Sequence, residues 1–202
     1  TRPNRIQTSV ITSFYTKDLG EALLHWPTRC RNAVAYTFCQ ADLVALCPEG
    51  DMRRSRWREV PWLLMSELCD NTAAIHTIAE RMDNAFLSRD VRIVSLQTWC
   101  PEIMSPDEAL VSRAQRALLF AVRLARSLQI LGQPVRTIET VGGSVCAQSW
   151  ATGSHEVSMG RNQDLKAIQL LVSRLLPIAN ELQLSNTHRI CLALELEPGP
   201  LY

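Results

Sequence analysis

The chain has no Cys-x-x-Cys pair: its seven cysteines fall at positions 30, 39, 47, 69, 100, 146 and 191. An odd number scattered through apolar segments argues against a disulfide framework and against a structural zinc site; it suits buried, reduced thiols in a cytoplasmic setting. Charge of one sign is also missing. Twenty-one basic and 20 acidic residues leave a formal net charge of +1, which gives no global field for steering DNA, RNA or anionic lipid, so a nucleic-acid partner is not expected. No uninterrupted apolar run is long enough to span a bilayer, and no signal-peptide pattern precedes the first strand-like segment, so no membrane role is expected. Histidine is scarce. Of the four, His25, His76 and His188 are the weaker candidates, His76 in an expected helix and His188 just before an expected strand, leaving His155.

What is present is an ordinary globular composition, 47% hydrophobic and 20% charged over 202 residues, enough to bury one sizeable core in a single domain spanning 1–202. Much of the chain repeats one unit: an amphipathic helix, a short polar loop and a brief apolar strand. In the clearest copy, Ser105-Pro106-Asp107-Glu108 reads as a capping box with Ser105 as N-cap. Leu110, Ala114, Ala117, Ala121, Leu124 and Leu128 then recur at helical spacing, with Arg113, Arg116, Arg123 and Arg126 on the other side. Gly132 and Pro134 end the helix, and a strand from Val135 to Val141 follows.

A second copy runs from Asp164 to about Leu184, with Leu165, Ile168, Val172, Leu175, Ala179 and Leu182 as its stripe, and leads into the strand Ile190 to Glu195. An earlier copy pairs a helix near Thr72 to Phe86 with a strand from Val91 to Thr98. Three helix-strand units in succession argue α/β class with a parallel sheet. The first 70 residues offer strand-like runs at Ile6 to Tyr15 and Ala33 to Leu46, a short helix at Leu19 to Trp26, and a mixed basic and aromatic stretch, Asp51 to Arg58, read as surface.

The last strand ends oddly. Ile190 to Pro200 reads ICLALELEPGP, an apolar run that finishes on Glu195 and Glu197. A buried carboxylate is costly unless something neutralises or coordinates it. Alternation puts Cys191, Ala193 and Glu195 on one face, with Leu192, Leu194 and Leu196 on the other, suited to packing against helices.

The helix LLPIANEL, a short turn and the strand L-A-L-E followed by x-x-P-G resemble the xylose isomerase-like TIM barrels, over roughly residues 71 to 200. That group includes sugar isomerases, sugar phosphate isomerases and epimerases, and the endonuclease IV branch. The resemblance implies a (β/α)₈ barrel of parallel strands alternating with helices, of which this chain carries the N-terminal part. It also implies that Glu195 ligates a divalent metal ion, Mn, Mg or Zn, while Glu197 has no assured counterpart and is a candidate substrate contact. Two earlier strands that end in histidine in many members end here in Ser95-Leu96-Gln97-Thr98-Trp99 and Ile138-Glu139-Thr140-Val141-Gly142-Gly143. Gln97 and Glu139 are candidates to bind substrate hydroxyls or water, or are rim residues satisfied by neighbours. The missing histidines count against the endonuclease IV branch, whose multi-zinc site needs several.

Between strand and helix, Val145 to Arg161 makes a long loop holding Trp150 and His155. Such loops are functional or disordered; on the site face, Trp150 would stack on a sugar and His155 would add a polar contact. Both chain ends look cut, with strands expected beyond Tyr202. The expected function is a metal-dependent isomerase or epimerase acting on a sugar or sugar-like small molecule. The alternative is a non-catalytic barrel that binds or transfers a small metabolite.

Overall fold

A computed structural model describes residues 10–11, 34–37, 61–88, 91–98, 100–141, 161–184 and 189–195. The expected helix at Leu19 to Trp26, the basic stretch Asp51 to Arg58, and Trp150, His155 and Glu197 lie outside them. The strands are β1 (Val10–Ile11), β2 (Val34–Thr37), β3 (Ile93–Gln97), β4 (Thr137–Val141) and β5 (Cys191–Glu195). Four helices are described: α1 (Pro61–Leu68), α2 (Thr72–Leu87), α3 (Glu108–Ile130) and α4 (Arg161–Gln183), and a 3₁₀ turn, Pro101–Met104, follows β3. All five strands run parallel, in the order β1-β2-β3-β4-β5. The class is therefore mixed α/β with a parallel sheet built in chain order. Consecutive right-handed crossovers that always step the same way leave their helices on one face.

That face is the core. Leu96 and Ile138, at matching register positions of β3 and β4, are fully buried in one cluster with Ile78, Phe86, Leu118 and Phe120 of α2 and α3. Helix α3 lies at the centre, packing against α1, α2, α4, the 3₁₀ turn and β4. Its ten buried residues form one broad face, wider than a helix packed on a single neighbour requires.

The start of α3 differs from the sequence expectation. Asp107, not Ser105, is the N-cap, and its carboxylate accepts from Ala109 N at 2.8 Å. Ser105 Oγ accepts instead from Asp107 N at 3.1 Å, a hydroxyl turn that delivers the chain into the cap. Gly132 does end the helix: its φ of 94° is the left-handed value that favours glycine. From there Gly132 N and Gln133 N donate to Gln129 O and Leu128 O.

The stripe expected on α4 is corrected in its first half. Leu165, Ile168 and Val172 are exposed, while the buried positions are Ala167, Arg174, Leu175 and Ile178. Arg174 explains the rotation. Its guanidinium donates to Ile103 O and Ser105 O, both at 3.0 Å, and to Glu108 Oε1 at 2.8 Å, so α4 turns this arginine toward the β3–α3 connection and carries the neighbouring apolar residues outward.

The arginines of α3 also do more than face solvent. Arg116 and Arg123 both hold Asp70, each at 2.8 Å, and donate to Ser66 O and Cys69 O at the end of α1. The two hydrogen bonds keep the exposed Asp70 carboxyl below its ordinary range. Arg126 pairs with Glu181 of α4 at 2.6 Å. At the opposite end of the sheet Gln133, 2% exposed, accepts from Ile93 N at 2.9 Å and donates to Asp83 Oδ1 at 2.6 Å. Its amide thus ties α2 to the start of β3. Gln133→Ala strands a backbone donor and a buried carboxylate, and should lower unfolding stability by about 1–3 kcal/mol, read as a shifted urea midpoint at unchanged slope.

Candidate functional site

The register brings polar residues from adjacent strands together. Ser95 pairs with Thr137, Gln97 with Glu139, Glu139 with Ala193, and Val141 with Glu195. Because side chains alternate across a strand, Ser95, Gln97, Thr137, Glu139, Cys191 and Ala193 share one face. Leu96, Ile138 and Leu192 share the other, where they join the core. Position 195 continues the row of Cys191 and Ala193, one pleat farther along the strand than the level of Glu139.

Glu139 is the focus of this face. Gln97 Nε2 donates to Glu139 Oε2 at 2.6 Å and Ser95 Oγ donates to Glu139 Oε1 at 2.7 Å. The backbone is fixed at the same point: Thr98 N and Thr98 Oγ1 both donate to Glu139 O, at 2.8 and 3.0 Å. Among the described residues the half-buried carboxylate is thus oriented by neutral groups. No described lysine, arginine or histidine forms an ion pair with it. Each oxygen keeps acceptor capacity beyond the single bond drawn to it, so the cluster can take a hydroxyl, an amine or a cation.

Of the expected site residues, Gln97 and Glu139 are joined directly, and Glu195 occupies the next strand at the same end of the sheet. Trp150, His155 and Glu197 lie outside the described residues. Ser95 was not singled out from the sequence, although its spacing of two from Gln97 carries the signal. Among the described residues no group of three or more His, Cys, Asp or Glu side chains could hold a metal ion. Carboxylate oxygens suit a hard divalent cation, and Glu139 and Glu195 match such an ion in residue type.

Beyond β3 a second group of polar atoms is enclosed. Cys100 is fully buried, and desolvation pushes its thiol well up, reinforced by Glu102 and opposed by a hydrogen bond with Thr98. Glu102, in the 3₁₀ turn, buries Oε2 without a hydrogen-bond partner among the described residues. Burial raises its carboxyl above the ordinary 4.5, against its own backbone hydrogen bond.

No family model matches the chain, and no curated protein or solved structure matches it. The residues themselves carry the functional reading. No described helix is long and apolar enough to cross a membrane.

Glu102 gives a pH dependence with a definite sign. A carboxyl raised in the folded state favours folding fully below its unfolded value, and that contribution is lost as pH rises through the folded value. Glu102→Gln should therefore match the wild type in melting temperature below pH 4.5 and exceed it at neutral pH. Thermal melts across that range check this; a variant less stable at pH 7 would mean that the ionised carboxylate has a stabilising partner.

Proposed function

We propose that the chain forms part of a (β/α)₈ barrel of the xylose isomerase-like kind, and that its site acts on a sugar or sugar-like polyol with a divalent metal ion, as an isomerase or epimerase. The observation that carries this is the Ser95–Glu139–Gln97 cluster, on the carboxyl ends of adjacent parallel strands and on the face opposite the core. Parallel α/β sheets bind small molecules at that end of their strands. Strands laid down in chain order, with one face left to polar groups, are also what an arc of a barrel requires.

Each residue has a role in this reading. Gln97 and Ser95 hold the Glu139 carboxylate so that its free lone pairs meet ligand hydroxyls. Glu139 accepts from those hydroxyls and, with Glu195, supplies oxygen donors to the ion. A divalent ion there polarises a carbonyl and its neighbouring hydroxyl when bound. Trp150 and His155 are proposed substrate contacts from the loop after β4, and Glu197 from the segment after β5.

One observation favours a second reading. Each Glu139 oxygen already accepts one bond from a neutral donor, and the described residues hold no three-ligand group, which suits a barrel that binds a metabolite without metal or turnover.

Calorimetric titration with Mn²⁺ separates the two. Glu195→Gln removes an anionic ligand while preserving shape, so affinity should fall at least tenfold, about 1.4 kcal/mol, with Glu197→Gln affected less and both melting profiles unchanged without metal. Hydrogen exchange at C2 of aldoses in D₂O, followed by NMR with Mn²⁺ present, should then require Glu195. Equal Mn²⁺ affinity in wild type and Glu195→Gln overturns the metal assignment. Sugar binding that persists in EDTA without exchange selects the metabolite-binding barrel.

A further inference from the structure

Glu139 is drawn to one side. Both of its carboxylate bonds run toward β3, from Gln97 Nε2 at 2.6 Å and from Ser95 Oγ at 2.7 Å. The strand on its other side sets Ala193 at the level of Glu139 and Cys191 at the level of Thr137. Alternation puts both on the polar face, while Leu192 between them packs against the core on the opposite face. Neighbouring strands stand about 4.8 Å apart. Beside a carboxylate drawn toward β3, β5 therefore presents a methyl group and a thiol.

Exposure changes along the same row. Ser95 is 5% exposed, Thr137 is half-buried and Cys191 is exposed. As the last strand of the described sheet, β5 has open backbone at its edge, but that does not explain why both Glu139 bonds run the other way. Close packing does not explain Ala193 either. A small residue kept for close packing is buried by the neighbour it admits, whereas Ala193 is only half-buried beside an exposed Cys191.

We propose that the ligand seats over Cys191 and Ala193, on the β5 side of Glu139, and that Ala193 is a specificity-determining residue. It admits a hydroxymethyl or unbranched hydroxymethine group beside the carboxylate and excludes a branched one. The inference rests on the reading that Glu139 accepts from ligand hydroxyls, and it holds with or without a metal ion. A hydroxyl seated there donates to a lone pair that Gln97 and Ser95 leave free, and its carbon lies against the Ala193 methyl. Added methylenes at that position take the volume of the ligand's own carbon.

The test combines calorimetry, using D-glucose and D-ribose with and without Mn²⁺, with iodoacetamide labelling of Cys191 read by peptide mass mapping, which separates it from the other cysteines. Bound aldose should suppress alkylation of Cys191, and alkylation beforehand should weaken aldose binding. Ala193→Leu should lower aldose affinity by about tenfold or more, and Ala193→Ser should retain it. Ser112→Leu adds similar bulk at an exposed position of α3 and should change neither readout, with melting profiles checking the fold of each variant. If Ala193→Leu does not fold, protection of Cys191 in the wild type decides by itself. Aldose binding that leaves Cys191 alkylated at its free rate, or unchanged affinity in a folded Ala193→Leu, overturns the seat and leaves the sugar reading standing. No aldose binding by the wild type overturns both.

Discussion

An all-parallel sheet laid down in chain order can be joined only by crossovers that step one way, and this constraint divides the molecule. One face of the sheet receives the described helices, so Leu96, Ile138 and Leu192 meet an apolar layer there. The other face receives none of them. Polar side chains are tolerated on it, and Ser95, Gln97 and Glu139 collect where neighbouring strands bring them into register. The separation of core from candidate site is thus a consequence of topology before it is one of individual residues.

Long arginine side chains then fix the helices relative to one another. Arg116 and Arg123 reach from α3 to the end of α1, Arg126 reaches to α4, and Arg174 reaches back from α4 to the 3₁₀ turn. Water and salt screen exposed pairs of this kind, so those at Asp70 serve orientation more than stability. Arg174 differs because it is buried and satisfies carbonyls of Ile103 and Ser105. Removing such a partner leaves polar groups enclosed without hydrogen bonds, the costlier condition.

The sequence was most legible where local pattern and tertiary demand agree. The apolar spacing of α3, the Gly132 stop and the strand pieces near β3, β4 and β5 all emerge from periodicity and turn chemistry. Parallel adjacency followed from the alternation of helix and strand. Legibility failed where a distant partner decides. Ser105 and Asp107 both read as caps, and only the geometry of the turn selects Asp107. Leu165, Ile168 and Val172 carry the helical apolar period of α4, whereas Arg174 occupies the buried side through contacts about 70 residues away. Helix α1, PWLLMSEL, is apolar nearly all round and shows no period to detect. The bond from Gln97 to Glu139 depends on register, which neither strand encodes by itself.

The spacing of the strands along the chain also sets how the fold can be acquired. The bond from Ser95 to Glu139 spans 44 residues, so no strand of this sheet finds its partner through a tight turn, and assembly should be slower than that of a hairpin protein. Yet each described strand after β1 pairs with one already synthesised. Growth can therefore proceed from the amino terminus, each helix and strand docking on a template that the ribosome has already released. The interval during which β5 is still missing is then the interval in which β4 presents an open edge, and a slow codon stretch between them would lengthen that exposure.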